Sequence, residues 1–172
     1  AQETLVARIK SLAAAHDVLT RESWAGTTLS EVVAEALHAF RDDARQRFLV
    51  NGPLVWLDPR LTLAFTMAFH ELATNAVKYG ALSNEGGRVV VDWEVRDAST
   101  SPRLQLRWEE VGGPSVVAPS RTGFGTRLIE RALATEMGGT ARIEYHPRGI
   151  AFLLEAPLPD CVPTTNVTGS LV

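Results

Sequence analysis

The segment His70-Glu71-Leu72-Ala73-Thr74-Asn75-Ala76-Val77-Lys78-Tyr79-Gly80-Ala81-Leu82 decides how the rest of the chain is read. It closes a longer helical pattern in which Asp58 can cap, Pro59 can open the first turn and Gly80 can end the helix. Leu61, Phe65, Ala68, Leu72 and Tyr79 fall on one apolar stripe of that helix. At about 100° per residue, Glu71, Asn75 and Lys78 share a narrow arc beside the stripe. A carboxylate able to take a proton, an amide oxygen suited to a hard cation and an ammonium suited to phosphate oxygens therefore occupy one helix edge. On spacing alone the same residues also suit an ordinary solvated face.

Toward the C-terminus, a polar turn at Asn84-Glu85-Gly86-Gly87 precedes two alternating runs, residues 88–95 and 103–108, which read as an antiparallel pair. A loop over residues 112–125, rich in Gly, Pro and Ser, leads into a helix through Leu128, Leu133 and Met137 that stops at Gly138-Gly139. Two last strands, residues 141–145 and 150–154, turn at Pro147-Arg148-Gly149. Within the loop, Gly112-Gly113 follows a strand and Gly123-Phe124-Gly125-Thr126 precedes a helix. Both supply backbone that can approach a ligand, and the second supplies amide groups at a helix N-terminus, where anions bind. Neither matches a Walker loop or a strand-anchored dinucleotide fingerprint.

Toward the N-terminus, Leu5, Ile9, Leu12, His16 and Leu19 form a heptad stripe that calls for a partner helix. After a break at Trp24-Ala25-Gly26-Thr27, Ser30 can cap a second amphipathic helix through Val33, Leu37 and Phe40. The texture changes at Asp42-Asp43, and a Gly52-Pro53 turn then separates two short strand-like runs. The expected organisation is a helical segment 1–41, a main domain 42–157 and a flexible tail 158–172. The fold class expected for the main domain is α+β: an α/β sandwich with mostly antiparallel strands and helices on one face.

Composition narrows the possibilities further. The chain has 172 residues, 45% hydrophobic and 22% charged, which excludes a wholly disordered, collagenous or rod-like chain. A domain of this size buries about 70% of its extended-chain surface. Seventeen basic and twenty acidic residues give a net charge of −3, so nothing global draws the chain to nucleic acid or an anionic membrane. The longest apolar run, residues 61–69, is too short to span a bilayer, and the single Cys161 allows no internal disulfide. The default expectation is a cytoplasmic protein, and an initial Ala in place of Met suggests a piece of a longer one. His38 and His146 lie in no zinc-ligand spacing.

The stretch from His70 to Leu82 resembles the N box of the HWE family of bacterial sensor histidine kinases. Trp108-Glu109-Glu110 resembles the family's Trp-x-Glu marker and Gly123-Phe124-Gly125 its second glycine box, in the right order. The resemblance covers residues 48–157 and extends weakly to Ala15-His16-Asp17. It implies a Bergerat (GHKL) ATP-binding fold in a two-component sensor kinase, which moves the γ-phosphoryl group of Mg-ATP to a histidine for relay to a response-regulator receiver domain. Asn75 would then hold Mg²⁺, Lys78 and Tyr79 the phosphate and ribose side, and Glu71 would be the catalytic proton acceptor. Glu110 would accept a hydrogen bond from the adenine amino group, while Gly112, Gly113, Gly123, Phe124, Gly125 and Thr126 would line the nucleotide. His70 and Trp108 stand as family markers, His70 as an interface group and Trp108 as a core residue.

The chain departs from the broader superfamily in Ala151, where a threonine often follows the last glycine turn, and in a lid of only residues 115–122. No acceptor-histidine motif is present: His16 sits in the heptad stripe, as a packed residue of a dimerisation hairpin would. The phosphoacceptor is therefore expected outside the chain, on an attached or partner helix, with a homodimer in the full-length protein. The competing readings are another GHKL ATPase, an anti-sigma serine kinase, or a catalytically silent nucleotide-binding dimerisation module.

Overall fold

The computed structural model describes residues 26–40, 46–96, 101–117 and 124–158. The heptad stripe with His16, most of the lid, Gly123 and the tail with Cys161 lie outside the described residues. The elements run β1 (Thr27–Thr28), α1 (Leu29–His38), β2 (Phe48–Asn51), β3 (Trp56–Leu57), α2 (Pro59–Lys78), a 3₁₀ turn (Ala81–Ser83), β4 (Arg88–Arg96), β5 (Arg103–Val111), α3 (Phe124–Met137), β6 (Thr140–His146) and β7 (Gly149–Pro157).

Five strands form one mixed sheet in the order β2-β4-β5-β7-β6, and β1 and β3 pair separately. β2 runs parallel to β4, while the remaining neighbours are antiparallel. Alternation sorts the two faces of the sheet. Val89, Val91 and Trp93 of β4, Leu104, Leu106 and Trp108 of β5, and Phe152, Leu154 and Ala156 of β7 are buried. The intervening Asp92, Glu94, Arg107 and Glu155 are exposed on the opposite face. The helices therefore cover one side, as an α+β sandwich requires. α2 is joined to the sheet by an aromatic run: Phe65 stacks on Phe69 at 5.9 Å, and Phe69 on Trp108 at 6.3 Å.

Leu29, Val32, Val33, Ala36 and Leu37 of α1 are buried in the same core as α2 and the sheet. A helix of 10 residues is marginal in isolation, and it holds here through that packed face. The cap is not Ser30, as the sequence predicts, but Thr28. Thr28 has extended backbone and accepts from the Glu31 amide, while Glu31 accepts from the Thr28 amide at 2.9 Å, a reciprocal capping box that leaves Ser30 inside the first turn.

Asp58 caps α2 as predicted, accepting from the Leu61 amide at 2.8 Å. The stripe differs at its end. Tyr79 leaves the helical conformation as the C-cap, with φ −134°, and its side chain is 73% exposed rather than on the buried stripe. All four long strands extend beyond their predicted ends, because ladder pairing continues past the apolar runs that mark them in sequence. α3 begins earlier than read: Phe124, Gly125 and Thr126 form its first turn instead of preceding it.

Candidate functional site

Glu71, Asn75 and Lys78 lie along one edge of α2, with Tyr79 and Gly80 just past its end. Glu71 and Asn75 are half-buried and Lys78 is exposed, so the arc read from the sequence runs from the interior to solvent. Glu71 and Tyr79 are separated by about 12 Å along the helix axis at 1.5 Å per residue. That span is matched at each end by a glycine packed against another element.

At the inner end, Gly125 in the first turn of α3 faces Glu71, and a Cβ there would overlap Glu71 Oε1. The absent side chain lets the carboxylate lie beside helical backbone. At the outer end, a Cβ on Gly80 would overlap Glu110 Oε2, and one on Gly113 would lie 2.5 Å from Ala81 Cα. Gly112, at φ +74°, supplies the left-handed turn that ends β5. Gly112 and Gly113 thus let the loop after β5 seat on the turn over residues 80–87. In the sequence they stand as backbone available to a ligand; the structure shows their close approach to be to this neighbouring turn.

Glu110 is the buried charge of the site, at 3% exposure. Its Oε2 accepts from the Ala81 amide at 2.8 Å and its Oε1 from the Trp108 indole at 3.3 Å. Burial pushes its pKa above the ordinary value and outweighs those two hydrogen bonds, which act in the opposite direction. A carboxylate has about four lone-pair sites, so two bonds leave acceptor capacity for a ligand donor.

Trp108 is a core residue, as expected, fully buried against Phe69. It is also an orienting group for Glu110, a role the sequence reading missed although the signal was present: residues two apart on a strand share a face. His70 contacts Phe40 edge-on at 5.3 Å, beyond the end of α1, which ties α2 to the N-terminal helix. Arg47 went unremarked in the sequence. Its guanidinium donates to the carbonyls of Gly87 at 2.9 Å, Leu82 at 3.3 Å, Ala81 at 3.0 Å, and to that of Asn84. No local pattern could have found it, because its partners are backbone atoms 34 to 40 positions away.

Among the described residues no three His, Cys, Asp or Glu side chains group to hold a metal ion. Nor is any described helix long and apolar enough to cross a membrane.

Solved structures similar to this chain include histidine kinase domains. The histidine kinase domain of the blue-light-activated kinase of Erythrobacter litoralis superposes with a TM-score of 0.60 at 17% identity, over 90% of this chain and 74% of that one. The catalytic domain of the histidine kinase ThkA gives 0.54 at 21% identity, over 77% of this chain and 94% of that one. The fold is accordingly that of the histidine kinase catalytic domains. In sequence, residues 1–54 match the HWE histidine kinase family model. Blue-light-activated histidine kinases of Brucella ovis and Brucella abortus are each 40% identical over 157 residues, 91% of this chain. The chain spans 32% of the length of those relatives. The chain is thus similar in sequence to HWE histidine kinases and in fold to histidine kinase catalytic domains.

Proposed function

We propose that this domain binds Mg-ATP along the polar edge of α2, beside the turns bearing Gly113 and Gly125, and transfers its γ-phosphoryl group to a histidine nitrogen. The observation that carries the reading is the pairing of Glu71 with Gly125 at one end of α2 and of Glu110 with Gly80 and Ala81 at the other. An extended nucleoside triphosphate matches that span, its base toward Glu110 and its terminal phosphate toward Glu71.

Each group then has a task. Glu110 accepts a hydrogen bond from the adenine amino group; a charged acceptor contributes about 1.5–3 kcal/mol. Lys78 and Tyr79, exposed at the end of α2, reach the phosphate and ribose side. The amide oxygen of Asn75 would hold Mg²⁺, which takes few protein ligands alongside water and phosphate oxygens. When bound, the ion neutralises charge developing on the β- and γ-phosphates. Glu71 takes the proton from the attacking imidazole as a nitrogen–phosphorus bond forms and the bond to the β-phosphate oxygen breaks, releasing ADP. Gly125, in the first turn of α3, would lie beside the phosphates, which gives it a second reason to lack a side chain.

The reading extends to the organisation of the whole kinase. The catalytic unit includes α1, since α1 shares the core. The acceptor histidine is not His16 but a residue of an attached or partner helix. The phosphoryl group passes on to a response-regulator receiver domain, a partner of the kind found in the crystal structure of the histidine kinase ThkA in complex with the response regulator protein TrrA. The site of action is the cytoplasm.

Asn75→Ala tests the assignment. Calorimetry is expected to show loss of Mg-dependent ATP binding, and radiolabel transfer to an added acceptor helix is expected to stop. Unchanged affinity together with unchanged transfer would sink the assignment.

A further inference from the structure

Arg47 enters the fold immediately before β2, and its own carbonyl accepts from the Val89 amide at 2.8 Å, extending the β2–β4 pairing. With its backbone anchored on the sheet, the half-buried side chain crosses to the turn over residues 81–87 and bonds four of its carbonyls. A planar guanidinium with five donors in a fixed fork can span such a set; a lysine ammonium, with three donors at one point, cannot.

What this clamp holds matters for the site. Ala81 is gripped from both sides: its carbonyl accepts from Arg47 Nη2 at 3.0 Å, and its amide donates to Glu110 Oε2 at 2.8 Å. The other carboxylate oxygen is held by the Trp108 indole. The chain of contacts from Arg47 through the Ala81 peptide to Glu110 is therefore continuous. On the other side of the turn, Gly113 packs against Ala81 Cα, so movement of Ala81 would also displace the loop after β5.

We infer that Arg47 is a positioning residue for base recognition: by clamping the turn over residues 81–87 it holds the Ala81 amide on Glu110 and so aims that carboxylate at the amino group of adenine. The inference rests on the reading of Glu110 as the adenine acceptor. Loss of the clamp weakens discrimination between bases more than it weakens binding of the triphosphate, which other residues hold.

The test compares binding of Mg-ATP and Mg-ITP, whose base lacks the amino group, to the intact 172-residue chain by calorimetry. The variants are R47M, R47K, E110A and R47M/E110A. The preference for ATP over ITP is expected to fall about tenfold in R47M, the loss of one charged hydrogen bond, with ITP affinity changed less than about twofold. R47K is expected to fall between wild type and R47M. E110A is expected to remove the preference, and adding R47M to it to change the preference no further, since both act through one carboxylate. Exchange of the Ala81 amide with solvent is expected to accelerate in R47M, a readout that needs no nucleotide.

Equal weakening of ATP and ITP in R47M would make Arg47 a merely structural residue and overturn the inference. A preference in R47K equal to wild type would overturn it as well, and R47K serves if R47M does not fold. A wild-type chain that binds ATP and ITP alike removes the adenine role of Glu110 and the inference with it. Discrimination in wild type that survives in R47M removes the inference alone.

Discussion

Glu110 shows how a buried carboxyl is made tolerable. Its two hydrogen bonds come from neutral donors, an indole and a peptide amide, and burial still dominates its titration. A carboxyl whose pKa is raised by folding contributes fully below its ordinary value of 4.5, and that contribution is lost as pH rises through the native value. The stability of the wild-type chain relative to E110Q is accordingly expected to decline as pH rises through that window, as followed by urea unfolding. A profile parallel to that of E110Q would show that Glu110 titrates normally. Gly125 offers a second expectation at this scale. In Gly125→Ala the new methyl group displaces the end of the Glu71 side chain, so phosphotransfer is expected to fall by about a hundredfold, the lower end of the range ascribed to a positioned base, with little change in melting temperature. Gly113→Ala meets backbone instead, at Ala81 Cα, and is expected to lose about 1–3 kcal/mol of stability, the cost of overpacking.

At the scale of the element, α1 illustrates a boundary set by side-chain chemistry. The capping box between Thr28 and Glu31 closes the first turn, and Glu31 also accepts from the Thr27 hydroxyl. Those bonds, that from Thr27 first among them, hold the Glu31 pKa below its ordinary value. A depressed carboxyl contributes stability above the unfolded pKa and loses it as pH falls through the native one, the opposite sense to Glu110. Thr28→Ala is expected to cost about 1 kcal/mol in denaturant unfolding near neutral pH. The difference from wild type should shrink in acid, as Glu31 becomes protonated. A Ser30→Ala change with an equal or larger effect would return the cap to Ser30.

Across the whole molecule, one core links α1, α2, α3 and the inner face of the sheet. Phe65 lies at its centre with no exposed surface, stacked on Phe69 and through it connected to Trp108 beside Glu110. Phe65→Ala is expected to cost about 3–5 kcal/mol, the range for a large-to-small change in a well-packed core. If the core is one unit, that loss shows as a single cooperative transition moved to lower denaturant. Two separated transitions would instead mean that α1 and the sheet unfold independently.

The elements themselves were largely legible in the chain, because their signals are local. Asp58 and Pro59 announce α2, alternation announces β4 and β5, and the arc of Glu71, Asn75 and Lys78 follows from helical period alone. What was misread depended on competition or distance. Thr28 prevailed over Ser30 because Glu31 could answer it, and Tyr79 left its stripe because the helix ended one residue before it. The position of α1 in the common core, the seating of Gly113 on Ala81 and the four bonds of Arg47 belong to tertiary structure only. Residue pattern determines which atoms a segment can offer; only the folded chain brings a guanidinium to carbonyls some 34 or more positions away, since backbone groups are alike at every residue and leave no mark in the sequence.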